Sequence, residues 1–140
     1  MNILLTAESP FLCTQSVRIA DINYGNHLGH DRLVSLLHQA RAEALAAIGA
    51  SELDFFGTAL ILARLEVDYR AQAFWQDALS IAVWAEAPRR SRFLLHYRVM
   101  RDETRIADAV TTMVCFDYAR QCTTPVPQAF VRCITGDDAP

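Results

Sequence analysis

The run Asp21-Ile22-Asn23-Tyr24-Gly25-Asn26-His27-Leu28-Gly29-His30-Asp31 carries two acids, two amides, two histidines and two glycines. A helical pattern follows it directly: Leu33, Leu36, Leu37, Ala40, Ala44, Leu45 and Ile48 recur at three- and four-residue steps. The spacing predicts a helix over residues 31–48, stopped by Gly49. A helix start presents unpaired backbone N–H groups and the positive end of the helix dipole, which suits it to hold a developing negative charge. Glycines at such a place let a substrate come close to the backbone. Nowhere else in the chain do so many groups fit for acid–base work fall so close together.

Outward from this segment the chain reads as strands. Before it, Phe11, Cys13, Val17 and Ile19 share one side of a predicted strand over residues 11–19. After it, Ser51–Gly57 is predicted as a short helical turn. Four long alternating runs come next. In the first, Ile61, Ala63, Leu65, Val67 and Tyr69 alternate with Leu62, Arg64, Glu66 and Asp68. Leu79, Ile81, Val83 and Ala85 mark the second, and Phe93, Leu95, Tyr97 and Val99 the third. In the fourth, Ile106, Asp108, Val110, Thr112, Val114 and Phe116 alternate with small residues. Period-two runs joined by polar turns at Arg89-Arg90-Ser91 and Arg101-Asp102-Glu103 mean an antiparallel meander. Pro125 and Pro127 are read as ending regular structure, and residues 136–140 as a frayed tail. A single strong helix, apolar around most of its circumference, calls for a sheet curved about it.

Composition bounds the function. The 140 residues are 52% apolar and 21% charged, as in one packed domain spanning 1–140. A net charge of −3, with no basic tail, gives no footprint for nucleic acid. No apolar run approaches the roughly 20 residues of a membrane span. The start, Met1 to Glu8, has no basic n-region, which argues against a signal peptide. Cys13, Cys115, Cys122 and Cys133 show neither C-x-x-C spacing nor a neighbouring histidine pair, so they read as free thiols of a cytoplasmic protein, with no metal site expected.

The whole pattern resembles the hotdog-fold acyl-CoA thioesterases, in particular the 4-hydroxybenzoyl-CoA thioesterase-like branch. These enzymes carry a motif of the type D-x-D-x-x-G-H-V-N-N ahead of a helix ending E-x-A-R. The matching residues are Asp21-Ile22-Asn23, His27-Leu28-Gly29-His30 and Gln39-Ala40-Arg41. Glu66-Val67-Asp68-Tyr69-Arg70, Asp77, Met113-Val114-Cys115-Phe116-Asp117 and Pro125-Val126-Pro127 follow in the family's order. The resemblance covers nearly the whole chain. It implies an α+β hotdog fold, one long helix wrapped by a curved antiparallel sheet of about five strands. It also implies a homodimer or homotetramer whose site is built from both subunits, with an acyl-CoA as substrate and no separate cofactor.

One departure matters. The second acid of D-x-D is the catalytic carboxylate in many of these enzymes, and here it is Asn23, which cannot serve as a general base. Some hotdog thioesterases place their acid on the long helix, which makes Asp31 the substitute. The dipole at the first helical turn keeps such a carboxylate ionised. The N–H groups around His27 to His30, Gly29 included, would form the oxyanion site, aided by the Asn23 amide, while His27 orients water or polarises the carbonyl. Asp31 is equally a plain helix-start acid, although Asp31, Ser35 and His38 share one helical stripe. Asp21 reads as a structural acid pairing with loop N–H groups, and Glu43 as solvated or paired with Arg41. Arg89, Arg90 and Arg92 are either a solvated hairpin tip or a grip on coenzyme A phosphates, as basic residues there are in related thioesterases. Two other functions remain open. A loose likeness to the D-x-N-P-x-H-x-D motif allows a hotdog enoyl-CoA hydratase, and the amide at Asn23 allows a non-catalytic acyl-binding module.

Overall fold

The computed structural model describes residues 5–135. Its elements run β1 (Phe11–Ser16), α1 (His30–Ala47), β2 (Ala59–Tyr69), β3 (Ala78–Arg89), β4 (Arg92–Arg101), β5 (Thr104–Asp117), β6 (Cys122–Thr123) and α2 (Gln128–Thr135). The sheet is curved and antiparallel, in the order β1-β3-β4-β5-β2, with the two-residue β6 beside β5. β3, β4 and β5 form the expected meander, whose tight turns place Arg90 and Asp102 at positive φ. β1 and β2 are the two outer edges.

α1 lies against the inner face of this sheet. Leu33, Leu36, Leu37, Ala40, Ala44 and Leu45 are buried in one cluster with Leu79, Ile81 and Val83 of β3 and Phe93, Leu95, Tyr97 and Val99 of β4. The predicted helix is present with its ends shifted by one residue, and Gly49, at φ +80, follows its last turn. Arg41 is buried on the same face. Its Nε donates to Glu52 Oε1 at 2.6 Å and its guanidinium to Tyr97 Oη at 3.3 Å, and Tyr97 Oη meets Thr111 Oγ1 at 2.8 Å. Burial opposes the Arg41 charge, but the Tyr97 hydroxyl and the Glu52 carboxylate outweigh it and lift the guanidinium above its ordinary value. Burial likewise raises the Tyr97 phenol, which stays neutral.

Several expectations are corrected. A second helix, α2, follows Pro127 directly, so the proline read as an end of structure is a helix start. Its Phe130 is buried against Phe55 and Phe93, with ring centroids 4.7 and 4.4 Å away. The first strand ends at Ser16, and Ile19 is exposed in a 3₁₀ turn over Ile19–Asp21. Residues 51–57 form no helix but a turn, closed by mutual backbone bonds between Phe55 and Thr58. In β2 the register shifts between Leu62 and Arg64, so a bulge at Ala63 turns Leu62 to the same side as Leu65, Val67 and Tyr69. In β5 the buried set is Ile106, Ala107, Ala109, Thr111, Met113 and Cys115, and Val110, Val114 and Phe116 lie on the outer face. The small side chains at 107, 109 and 111 leave space over that part of the inner face. The tail from 136 lies outside the described residues.

The aromatic cluster at the α2 end gives a direct check of this packing. Phe55→Ala removes a fully buried ring and is expected to cost about 3–5 kcal/mol, seen as a lower urea midpoint. Tyr118→Phe, at an exposed position, should stay within about 0.5 kcal/mol of the parent.

Candidate active site

The loop between Asp21 and α1 is held by its own backbone and by three polar side chains. Asp21 is 2% exposed and its Oδ2 accepts the N–H of Arg18 at 2.9 Å, the structural role expected of it. Asn23 N–H donates to His27 O, Leu28 N–H to Ala73 O and Gly29 N–H to Asp21 O, each within 3.0 Å. Asn23 Oδ1 accepts from the N–H groups of Gly25 at 3.0 Å and His27 at 3.4 Å. The amide oxygen is therefore spent on the loop, and the amide nitrogen is left as a donor. His27 Nδ1 lies 3.1 Å from Leu28 O. A carbonyl only accepts, so Nδ1 carries the proton and Nε2 keeps a lone pair.

α1 begins with Gly29 as N-cap, without a capping side chain, and its first helical backbone bond runs from Leu33 N–H to Gly29 O. The N–H groups of His30, Asp31 and Arg32 thus point out of the helix start with no acceptor inside it. Asp31 folds back over the start: a Cβ built on Gly29 would lie 2.8 Å from Asp31 Oδ1 and 3.7 Å from Asn23 Cβ. Asn23 and Asp31, eight positions apart in sequence, therefore both flank Gly29. A side chain there would displace the exposed Asp31 carboxylate.

A cavity of about 320 Å³ opens beside this loop. Asn23, His27 and His30 line it from one side, and Tyr69, Gln72 and Ala73, just past the end of β2, from the other, over a floor of Leu28, Leu33 and Ile106. Asp31 sits at its rim, exposed, and is not among the lining residues. Tyr69 Oη donates to His30 O at 2.8 Å. Burial raises the Tyr69 phenol above its usual value and the Asp31 charge adds to the shift. Ser35 and His38 lie on the exposed side of α1, with His38 Nε2 3.5 Å from Glu52 Oε1. Glu43 bonds Gln39 Nε2 at 3.1 Å and does not pair with Arg41.

Arg89, Arg90 and Arg92 surround a second, open depression of about 860 Å³ together with Ser91, Thr123, Thr124 and Pro125. Among the described residues no carboxylate contacts these three guanidinium groups, whereas Arg70, Arg98 and Arg105 all share Asp108. Arg92 is level with Val114, which is level with Ile61 of β2, so the arginine turn and the loop lie at opposite ends of the same sheet. The eight steps from Ile61 to Tyr69 span about 26 Å. Within one chain the two halves of the predicted site are thus held apart. Of the residues that sequence spacing grouped, Asn23, His27 and His30 line this cavity while Gly29 and Asp31 stand beside it, and the wall from 69 to 73 was missed. The one signal for it is a polar-tipped aromatic, Tyr69, at the end of an alternating run.

Comparison with known proteins agrees with this geometry. A family profile for the thioesterase-like superfamily matches residues 17–134. The 1,4-dihydroxy-2-naphthoyl-CoA hydrolase of Synechococcus elongatus is 28% identical over 116 residues, covering 80% of this chain and 85% of the relative. Its counterpart from Microcystis aeruginosa is 25% identical, over 81% and 84% of the two chains. The crystal structure of a 1,4-dihydroxy-2-naphthoyl-CoA thioesterase from Synechocystis superposes with a TM-score of 0.81 at 23% identity, covering 93% of this chain and 98% of that one. A Staphylococcus aureus protein solved in complex with CoA gives a TM-score of 0.82 at 15% identity, over 91% and 82% of the chains. The solved structures speak for the hotdog fold. The chain belongs to the thioesterase-like superfamily, and by that membership is an enzyme of the thioesterase class.

The double use of the Asn23 amide is open to measurement. Asn23→Ala removes the acceptor of two loop N–H groups and should cost about 1 kcal/mol in urea unfolding. Asn23→Asp keeps that acceptor and should avoid most of that loss.

Proposed function

We propose that the protein hydrolyses an acyl-CoA thioester to a free acid and coenzyme A, in a site assembled by two copies of the chain. The observation that carries this reading is the placing of Asn23 and Asp31 on either side of Gly29, at a helix start with three unpaired N–H groups. The thioester carbonyl oxygen rests against those N–H groups and the Asn23 amide nitrogen, which hold the negative charge as it develops. The Asp31 carboxylate takes a proton from a water molecule whose oxygen bonds to the carbonyl carbon, with His27 Nε2 orienting that water. Collapse of the tetrahedral intermediate breaks the carbon–sulfur bond. The leaving thiolate takes the proton from Asp31, and free acid and thiol depart. An aromatic acyl group in the manner of the dihydroxynaphthoyl relatives suits the small, mostly apolar cavity.

The second copy follows from β2. Its outer edge is unpaired, and Leu62 and Tyr69 on its inner face are 41% and 53% exposed. Antiparallel pairing of two β2 edges sets the Tyr69 end of one chain beside the Ile61 end of the other. That pairing carries one copy's arginine turn across to the other's loop, where Arg89, Arg90 and Arg92 grip the phosphates of coenzyme A. The four free cysteines suit a reducing, cytoplasmic compartment.

The test is thiol release from a panel of acyl-CoAs. Asp31→Asn should lower kcat by about 10²-fold or more. Asn23→Asp placed in that background returns a carboxylate to the far side of Gly29, and should recover at least about tenfold of the loss. Gly29→Ala, whose new methyl would press on Asp31 Oδ1, should cut turnover while changing stability by less than about 1 kcal/mol. Replacing Arg89, Arg90 and Arg92 together by alanine should raise KM without lowering kcat, and sedimentation should find a dimer or tetramer. A wild-type protein that releases no thiol from any substrate defeats the reading. Loss of enoyl absorbance without free thiol would point to a hydratase instead, and binding without turnover to a carrier module.

A further inference from the structure

We infer that Tyr69 is a positioning residue of this site, which holds and polarises the start of α1 through the carbonyl of His30; the inference rests on the thioester reading above. Its hydroxyl donates to His30 O at 2.8 Å. Among the described residues this is the one hydrogen bond between the first turn of α1 and β2. The other ties of that turn, Leu28 N–H to Ala73 O and Gly29 N–H to Asp21 O, act on the loop that precedes it. Tyr69 instead belongs to the sheet, where it stands opposite Ala107 of β5. The bond therefore ties the helix start to the end of β2, on the side where the cavity lies.

The carbonyl it holds shares a peptide group with the N–H of Asp31. Hydrogen bonding to one end of a peptide polarises the other, so the phenol makes the Asp31 N–H a better donor to an oxyanion. It also fixes the direction in which that N–H points. Packing does not demand this hydroxyl. Tyr69 is 53% exposed, and water could satisfy its oxygen as well as His30 does. A phenylalanine would fill the same wall of the cavity. The bond is thus cheap to lose for stability and costly to lose for geometry, the signature of a residue that acts through another.

The test is Tyr69→Phe in the full-length protein, with Tyr118→Phe as a remote control. Two readouts are taken: steady-state kinetics with the best acyl-CoA of the panel, and the amide proton–nitrogen resonance of Asp31. Tyr69→Phe is expected to lower kcat by about fivefold per folded molecule at unchanged KM, and to move the Asp31 amide resonance, as loss of one ordinary hydrogen bond would. Tyr118→Phe should do neither. A variant with kcat within twofold of the parent overturns the inference, as does one in which only KM rises, since the ring alone then matters. Wild-type protein without thioesterase activity would defeat the functional reading separately. The Asp31 resonance then decides Tyr69: a shift in Tyr69→Phe supports the link, and an unmoved resonance overturns it.

Discussion

The buried contact of Arg41 with Glu52 and Tyr97 is the constraint on which the rest of this structure turns. A charge at that depth must be paired and hydrogen-bonded or the helix cannot lie where it does. Glu52 comes from the turn after α1, Tyr97 from β4 and, through the Tyr97 hydroxyl, Thr111 from β5. Three separate parts of the chain are thereby pinned to one guanidinium in the middle of the helix. The apolar stripe of α1 would tolerate some sliding or rotation against a sheet of similar side chains. The fork of Arg41 does not, because its donors have fixed directions. The start of α1, eleven residues or about 16 Å earlier, inherits that orientation.

From this follows the placement of everything functional. With α1 fixed, its inner face lies against β1 and β3 and meets β4 through Arg41 and Tyr97. It does not reach the far side of β2. The bulge at Ala63 then turns Leu62, Leu65, Val67 and Tyr69 toward a region that α1 leaves open. An apolar strand face, an unpaired strand edge and a helix start with free N–H groups thus border the same space. A second copy along β2 would close it and would bring the missing cationic end of the site. The separation of loop and arginine turn within one chain is then the geometry a shared site requires.

Much of this was legible in the residues. The helix showed through its three- and four-residue spacing and Gly49. β3 and β4 showed through clean alternation, because their inner faces meet the helix and their outer faces do not. β5 misled: both of its faces carry apolar residues, and size, not hydropathy, decides which face lies under a helix. The bulge in β2 was invisible because a single inserted residue leaves alternation intact on either side of it. α2 was hidden by its own proline, since Pro127 ends one pattern and starts another. For the site, residues close in sequence stay close in space, with Asn23, His27 and His30 on one cavity. Tyr69 and Ala73 come from some forty residues away, and no local spacing reports a contact made by the return of a strand.

The amide at Asn23 has an electrostatic consequence. A carboxylate there would set a second negative charge on the other side of Gly29 from Asp31, and the two would repel. With an amide, Asp31 is the one acid beside this helix start. The amide adds what a carboxylate cannot, an N–H donor, while its oxygen carries the two loop bonds that either group would accept. Acceptor for the loop, donor for the substrate and base for the water are divided, in the proposed site, between two side chains on either side of one glycine. In the proposed site the carboxylate has therefore not been lost from the loop but moved across Gly29, and the position it left has become part of the oxyanion cradle.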